Sequence, residues 1–424
     1  MTPTQSGETV TAVHVAENLV DRGHRVAFVA SSHARCLIPR GFPEDVFELT
    51  ADAEDNLCLW KQALETFTPD VVIFSDYPIL VSPLSSSPLG LHRGWLADLR
   101  RLEVCLVTFD HFGFGQCEEA LVLGPRHLGS QPARFAAVPD GMRIMLPCPM
   151  HHPGSSEGRR GDPFRYWSLP LGLPAILRRE VRRSYLANED DLLVLHSVPT
   201  WAWKMAEALR LPFYRFLPEV LAYYFEGIDK RITLVSVNNG RLLPQPSDGS
   251  FGVVNLAPMA IAEFEKLLFS ADLVITENKA SIAMGKAICA LQPSVALKNR
   301  FGFEELSDRI SGRLRECVLA MERERPGAMF PFEIFPMDMT GELDKLCLYR
   351  NNALAVAFEQ LEIFGGEETK QGFARLLTDH DAQNGLRARQ KAYVEMLQHT
   401  DDAADLLERY RRERQSDPGL PDAL

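Results

Sequence analysis

Residues 271–299 constrain the fold of this chain more than any other stretch, because they predict a strand, a tight loop, a helix and a second strand in direct succession. Leu273–Ile275 is a short apolar run typical of a buried parallel strand. An apolar stripe indicates a helix over 281–291, which a Gln-Pro pair ends. Val295–Leu297 is the next strand. Strand, helix and strand in this order predict a parallel sheet with a right-handed crossover.

The same alternation runs through most of the chain. In the first half it predicts a helix over 10–22, a strand at 26–30, a helix at 55–67, a strand at 71–75, a helix at 93–101 and a strand at 104–109. In the second half it predicts strands at 192–196, 232–237 and 253–256, with helical segments over 201–227 and 260–270. Residues 111–175, rich in Gly, Pro, His and Arg, are predicted to form long loops with at most a short hairpin.

The alternation breaks once and then restarts, which indicates two α/β domains. The 424 residues are enough for two or three domains. We predict a first domain over 1–186, a linker near 183–190, a second domain over 187–385 and C-terminal helices over 386–424.

The segment 271–299 resembles the donor-binding half of GT-B glycosyltransferases, where a strand, a loop of small residues and a helix start hold the diphosphate of a nucleotide sugar. The resemblance is closest over 192–305 and covers the first half in outline. It implies two Rossmann-like domains, with C-terminal helices that cross back to the N-terminal domain. It further implies metal-independent transfer of a sugar from a nucleotide diphosphate sugar to a small-molecule acceptor in secondary metabolism. Antibiotic-pathway members such as the lincosamide thiol glycosyltransferase are among the enzymes that the chain resembles.

The resemblance implies a donor site at the carboxyl ends of the second-domain strands. Ser281 would bind the diphosphate with its hydroxyl and the helix-start amides, and Lys279 would offset its charge. The family's His-Gly-Gly is replaced by Glu277-Asn278-Lys279, and its Gly-Ser by His196-Ser197. Ser281 as a simple N-cap and Asn238-Asn239 as an ordinary turn remain alternatives. The predicted donor-binding residues are Ser197, Asn238, Asn239, Pro258, Met259, Lys279, Ala280, Ser281 and Glu304.

Candidates for a general base lie where first-domain strands end or helices begin. Glu8 stands in the opening loop, Asp76 follows the strand at 71–75, and Asp110 and His111 follow the next strand. A single-displacement transfer needs such a group beside the acceptor nucleophile. Because neighbours in an extended chain point to opposite sides, Asp110 and His111 need not pair with each other, and Glu8 could partner either. The alternative for Asp110 is that it only caps its loop. We predict Asp110, His111 and Glu8 as the catalytic set.

Composition narrows the range of partners. A net charge of −12 argues against nucleic acid or an anionic membrane as the main partner. No apolar run reaches the roughly 18 residues of a membrane span, and no signal peptide is visible. The 8 scattered cysteines indicate reduced thiols and a cytoplasmic location. We predict no metal and no cofactor, since His151-His152 has no patterned third ligand; a homodimer is left open.

Two other functions stay open. One is a GT-B fold enzyme of another class, such as a sugar-nucleotide epimerase, which needs no separate acceptor. The other is a non-catalytic GT-B-like partner protein, which would be consistent with the absence of His-Gly-Gly.

The opening segment also leaves a question, because GT-B chains begin with a strand and this sequence begins in the loop ahead of the first helix. Either the start lies upstream or the sheet lacks that strand.

Overall fold

The computed structural model describes residues 6–39, 46–50, 52–81, 99, 104–122, 132–153, 160–238, 242–333 and 352–416. The predicted helix over 93–101 lies outside this part of the chain except for Leu99, and so does the predicted donor residue Asn239.

The first half consists of two parallel sheets with helices beside them. Its elements are α1 (Ser6–Asp21), β1 (Phe28–Ser31), α2 (Ser32–Arg35), β2 (Val46–Leu49), α3 (Ala53–Phe67), β3 (Val71–Phe74), α4 (Tyr77–Leu80), β4 (Cys105–Phe109), β5 (Arg143–Pro147) and β6 (Asp162–Phe164). One sheet pairs β1 with β2, and the other has the order β3-β4-β5-β6. Every pair is parallel, so the strands of each sheet end at one common edge.

The second half contains one six-stranded parallel sheet of order β12-β11-β10-β7-β8-β9. Its elements are α5 (Ala175–Arg183), β7 (Leu192–Ser197), α6 (Thr200–Ala208), α7 (Phe213–Phe225), β8 (Ile232–Val237), β9 (Gly252–Leu256), α8 (Ile261–Leu268), β10 (Leu273–Thr276), α9 (Ile282–Cys289), β11 (Ser294–Lys298), α10 (Phe303–Arg309), α11 (Gly312–Glu324), β12 (Glu359–Glu362), α12 (Glu367–Thr378), α13 (His380–Gln398) and α14 (Ala403–Ser416). The central strands β7, β8 and β10 are almost entirely buried, because helices cover both faces of the sheet.

The prediction of long loops over 111–175 is wrong in one respect. Two strands, β5 and β6, lie in this segment and extend the first-half sheet in parallel, with Met145 opposite Asp162. Each is short and is surrounded by Gly and Pro, so its apolar run is too brief to stand out in the sequence. In the structure, β5 pairs with β4 on one side and with β6 on the other.

The last helix crosses back onto the first half, as the resemblance implies. Arg22, which directly follows α1, is paired with Asp402 at 3.2 Å and with Asp405 of α14. The backbone N–H of Arg165 donates to the carbonyl of Asp401 at 3.0 Å. Tyr410 of α14 is buried in the same hydrophobic cluster as strand β4. This helix therefore ties the end of the chain to its beginning.

The two halves pack closely beside the carboxyl edges of their sheets. Gly285 of α9 lies against Pro149, which follows β5, and a Cβ at residue 285 would come within 2.4 Å of the proline ring. Ile288 of α9 and Val107 of β4 belong to one buried cluster. The predicted domain boundary at residue 186 falls between β6 and β7, and the boundaries themselves stay predictions.

Candidate active site

A cavity of about 210 Å³ lies where the carboxyl edges of the two halves face each other. The first half contributes Glu8 and His111, and the second contributes loops that follow β7, β8, β9 and β10. Residues as far apart in sequence as Gly7 and Lys286 therefore line one cavity. The predicted site residues that line the cavity are Glu8, His111, Ser197, Asn238, Pro258, Met259, Ala280 and Ser281.

The second-half side of the cavity is built from strand ends. Ser197 is the last residue of β7, and Asn238 follows β8 directly. Ser281 is the N-cap of α9, and its hydroxyl accepts the N–H of Met284 at 3.4 Å. Ser281 is therefore an N-cap in the structure, as the alternative interpretation had it. The capping hydrogen bond is long, and Ser281 also lines the cavity. Parallel strands that end together bring these separate loops to one place.

Two predicted donor residues, Lys279 and Glu304, do not line the cavity. The Lys279 ammonium is paired with Glu333, and only 5% of Lys279 is exposed. Glu304 is exposed in the first turn of α10, where Glu305 accepts the N–H of Gly302 at 3.1 Å. Asn239 is outside the described residues. A part for Lys279 and Glu304 in donor binding stays a prediction that this geometry does not favour, and a part for Asn239 stays a prediction.

A buried His–Glu pair lies under the second-half loops, where the sequence departs twice from the family pattern. His196 Nε2 is 3.0 Å from Glu277 Oε2, and both side chains are at most 1% exposed. Burial first, and the nearby Glu277 carboxylate second, raise the pKa of the Tyr214 phenol well above its usual value. His196 lies in β7 and Glu277 directly follows the neighbouring strand β10, in which Ile275 pairs with His196. If the predicted strands had been aligned in this register, His196 and Glu277 would have been recognised as neighbours from the sequence.

A second buried cation, missed in the sequence, joins the halves at the cavity. Lys286 of α9 lines the cavity and is paired with Glu265 of α8. Its Nζ is also 2.6 Å from His14 Nε2 of α1. Burial lowers the pKa of the Lys286 ammonium, and Glu265 opposes this effect. A lysine inside the apolar stripe of a helix was the available sequence signal.

On the first-half side, His111 is held between two polar groups. Its Nδ1 is 3.3 Å from Asp76 Oδ2, and its Nε2 is 3.0 Å from the Thr11 hydroxyl. Asp76 also accepts the backbone N–H of His111 at 3.1 Å and caps α4 through Ile79. Both ring nitrogens thus have protein partners, so the imidazole is positioned and largely enclosed.

Glu8 is the first-half carboxyl group that is best placed to exchange a proton. It lies in the first turn of α1, lines the cavity and is only 4% exposed. Its Oε2 is buried without a hydrogen-bond partner among the described residues. Burial raises the pKa of Glu8 to about 7, Asp76 adds to the rise and His111 opposes it. A carboxyl group that titrates near neutral pH matches the requirement for a general base.

Asp110 lies behind His111 and away from the cavity. Its Oδ2 accepts the N–H of Gly115 at 3.2 Å, and its carbonyl accepts a hydrogen bond from His151 Nε2 at 2.7 Å. Burial, and then the charge of Asp76, raise the pKa of Asp110 to about 7. Burial also raises the pKa of Asp76 to about 7. The charge of Asp76 thus contributes to the raised pKa of both Glu8 and Asp110, so the three carboxyl groups are electrostatically linked.

These raised values predict a pH-dependent stability. A folded-state pKa above the unfolded value contributes stability below about pH 4.5, and this contribution is lost as the pH rises through about 7. Burial lowers the pKa of His111, which opposes the trend. We expect the free energy of unfolding to fall between pH 5 and pH 8, and Glu8→Gln to reduce that fall by up to about 3 kcal/mol.

Urea denaturation at several pH values measures this slope. Asp21→Asn, an exposed carboxyl change on the same helix, is the control and should leave the slope unchanged. An identical slope in Glu8→Gln and the parent protein would contradict a raised pKa at Glu8.

Two searches of the described residues gave negative results. No helix there is long and apolar enough to cross a membrane. In the same ranges, no group of three or more His, Cys, Asp or Glu side chains is arranged to hold a metal ion.

Comparisons with known proteins bear on the family and the fold. Residues 15–413 match a family described as a family of unknown function, DUF6365. A search of curated proteins gave no match.

Solved structures resemble the chain along its whole length. UGT2 of Phytolacca americana, solved with UDP-2-fluoro-glucose and pterostilbene, has a TM-score of 0.51 at 10% identity, with 97% of this chain and 98% of that chain covered. UGT73P12 of Glycyrrhiza uralensis, solved with glycyrrhetinic acid 3-O-monoglucuronide, has a TM-score of 0.51 at 11% identity, with 97% and 94% covered. HepE of Anabaena, solved with UDP and glucose, has a TM-score of 0.48 at 12% identity, with 97% and 98% covered. The two structures with a TM-score of 0.51 show the fold, and the predicted GT-B fold class is confirmed.

Proposed function

We propose a function for this chain, which belongs to the DUF6365 family of unknown function: transfer of a sugar from a nucleotide diphosphate sugar to a small-molecule acceptor. The observation that carries the proposal is the shared cavity. On the second-half side of this cavity lie polar groups from strand ends and a helix start. On the first-half side lies a carboxyl group that can accept a proton. The resemblance over 192–305 supports the choice of donor. We extend the proposal to a cytoplasmic enzyme of secondary metabolism with a domain division at residue 186.

The donor would lie on the second half. The start of α9 offers backbone N–H groups and the Ser281 hydroxyl to the diphosphate, at the positive end of the helix dipole. Ser197 and Asn238 add polar groups from the neighbouring strand ends. Lys286 is the lining cation, so we assign to it the charge compensation first expected from Lys279.

The acceptor would enter from the first half, beside Glu8. In a single displacement, the acceptor nucleophile attacks the anomeric carbon, the bond from that carbon to the diphosphate oxygen breaks, and the nucleoside diphosphate leaves. The acceptor proton passes to the Glu8 carboxylate. His111, fixed by Asp76 and Thr11, would offset the negative charge of Glu8. Amides at the start of α9 would stabilise the departing charge.

The size of the cavity sets a condition on binding. Pockets for drug-sized ligands enclose about 300–1,000 Å³, and this one encloses about 210 Å³. A nucleotide sugar and an acceptor therefore fit together only when the two halves move apart. The close packing of Gly285 on Pro149 is a contact that such a motion would loosen.

The small volume of the cavity favours the alternative of a sugar-nucleotide epimerase. A sugar-nucleotide epimerase binds its substrate without a second molecule, so it needs less room than a transferase. Incubation of UDP-, GDP- and dTDP-sugars with the protein and no acceptor distinguishes the two, since an epimerase changes the sugar and a transferase does not.

Isothermal titration calorimetry with UDP, GDP and dTDP tests the donor site directly. We expect one of the three to bind and to raise the melting temperature. Absence of binding by all three at millimolar concentration would overturn the donor site and favour a non-catalytic partner protein.

Ser281→Ala should weaken binding of that nucleotide by about 1–3 kcal/mol, because a hydrogen bond to a charged phosphate is lost. Loss of the cap should cost the fold about 1 kcal/mol. Ser311→Ala, which changes an N-cap serine of α11 away from the cavity that makes no side-chain capping bond, is the control and should bind normally. Unchanged affinity in Ser281→Ala would mean that this serine is only a cap.

A further inference from the structure

The hydrogen bonds of the His111 ring fix one of its protons and give a second proton two possible positions. His111 Nε2 is 3.0 Å from the Thr11 hydroxyl, and His111 Nδ1 is 3.3 Å from Asp76 Oδ2. The Thr11 hydroxyl donates its proton to the carbonyl of Gly7 at 3.2 Å, so its oxygen accepts from the ring. Nε2 therefore carries a proton, and a further proton lies either on Nδ1 or on Asp76.

Asp76 can take part as an acid or as a carboxylate. Its Oδ2 accepts the backbone N–H of His111 at 3.1 Å, and its Oδ1 accepts that of Ile79 at 3.1 Å. Two backbone donors stabilise a carboxylate. Asp76 is 0% exposed, however, and its one ion-pair partner among the described residues is His111. A buried carboxylate beside a neutral ring would be unpaired, which is unfavourable, so Asp76 and His111 are either both neutral or both charged.

The groups around the ring decide between these two states. Glu8 of α1 lines the same cavity as His111, and Asp110 directly precedes His111 in the chain. A negative charge on either carboxyl group favours a charged ring, Glu8 more than Asp110. His151 donates to the carbonyl of Asp110 at 2.7 Å. The Tyr166 phenol, which interacts with the threonine hydroxyl, stays neutral because burial raises its pKa well above the usual value. The charge of Glu8 is therefore the main influence on the ring.

We propose that Asp76 and His111 share one proton, which lies on Asp76 while Glu8 is protonated and moves to His111 when Glu8 becomes a carboxylate. In this step the O–H bond of Asp76 breaks, an N–H bond forms at His111 Nδ1, and no proton leaves the pair. Asp76 is then a positioning residue that acts through His111. The inference deepens the proposed function, in which Glu8 takes the acceptor proton, because it supplies the positive charge that offsets the Glu8 carboxylate.

The balance of charges favours this movement. The charge of His111 has a larger effect on the Glu8 carboxyl group than the opposite charge of Asp76. A proton that passes from Asp76 to His111 therefore stabilises a negative Glu8, although Asp76 itself becomes negative. The two backbone N–H groups that Asp76 accepts reduce the cost of its charge. Glu8 loses its proton more easily beside this pair than beside a ring that stays neutral.

Nitrogen NMR of the ligand-free protein tests the position of the proton directly. The 11 histidines are labelled with 15N in the ring, and the His111 signals are identified by their absence in His111→Gln. Between about pH 5.5 and about pH 8.5, Nδ1 should gain a proton as the pH rises, which is the reverse of an ordinary histidine. A Nδ1 that stays in one state, or that loses a proton as the pH rises, would overturn the proposal.

Two variants identify the group that moves the proton. In Glu8→Gln, Nδ1 should stay unprotonated over the whole pH range, because the attracting charge is absent. Asp110→Asn removes a neighbouring buried carboxyl group that accepts the N–H of Gly115, and it should keep the reversed titration. A reversed titration that persists in Glu8→Gln would show that Glu8 does not control the pair, against the proposal.

Asp76→Asn preserves the size of the side chain but has no proton to give. The pKa of Glu8, followed through the 13C signal of its carboxyl group, should then rise by about 0.5–1 pH unit, because the ring stays neutral. If Asp76 were a fixed negative charge, the same substitution would remove a repulsion and the pKa of Glu8 would fall. A pKa that falls or stays the same would therefore contradict a shared proton.

These titrations need neither donor nor acceptor, so they give an answer even if the proposed sugar transfer is wrong. Where transfer is measured, turnover of Asp76→Asn at pH 7 should be about three- to tenfold below that of the parent protein, because less Glu8 is a carboxylate. The loss should disappear as the pH is raised above the pKa of Glu8 in the variant. An equal loss at every pH would assign Asp76 a purely structural role and overturn the proposal.

Discussion

Glu8→Gln is expected to lower turnover by about 10²–10⁴-fold, while nucleotide affinity stays close to that of the parent protein. The amide cannot accept the acceptor proton, but it keeps the size of the side chain. The base acts on the acceptor, so donor binding should not change. Steady-state transfer rates on a known acceptor, with calorimetry on the nucleotide, measure the two effects separately.

Two further substitutions decide between the predicted catalytic residues. His111→Ala should lower turnover less than Glu8→Gln, because His111 is enclosed by Asp76 and Thr11 and acts through Glu8. Asp110→Asn should have the smallest effect, since Asp110 does not line the cavity. A larger loss in His111→Ala than in Glu8→Gln would make the histidine the base. Full turnover in all three variants would mean that the acceptor reacts without a general base. A thiol acceptor whose pKa is close to the assay pH would behave in this way.

His196→Leu is expected to lower the free energy of unfolding by about 3–5 kcal/mol, because it leaves the Glu277 carboxyl buried without its partner. Denaturant unfolding at constant pH measures this loss. The pair lies beneath the loop that we assign to the diphosphate, so the same substitution should also weaken nucleotide binding.

Two controls test the assignment of this loss to burial. His24→Leu removes a histidine that is 3.3 Å from Glu408 with both side chains about a third exposed, and it should cost less than about 1 kcal/mol. The double substitution His196→Leu with Glu277→Leu removes the buried charge as well and should recover at least half of the loss. Equal losses of unfolding free energy in His196→Leu and His24→Leu would show that burial of the His196–Glu277 pair is not the cause of the loss.

The second half was predictable from sequence because its strands are buried on both faces. Ile232–Val237 is predicted and observed with the same bounds, and the predicted strand at 273–275 is observed as Leu273–Thr276. Continuous apolar runs between clear helix starts mark such strands. Strands β2 and β12 were missed. They are short, and both are at sheet edges where the apolar run is interrupted by glutamate.

The sequence by itself determined which loops gather at the site, because parallel strands place all their carboxyl ends at one edge. Ser197, Asn238 and Ser281 could be placed together on that basis. Only the tertiary structure decided which side chains face the cavity. Lys279 and Lys286 are both buried lysines near one helix start, and each is paired with a glutamate, Glu333 and Glu265 respectively, yet of the two it is Lys286 that lines the cavity. Such choices depend on partners distant in sequence, and local periodicity carries no information about them.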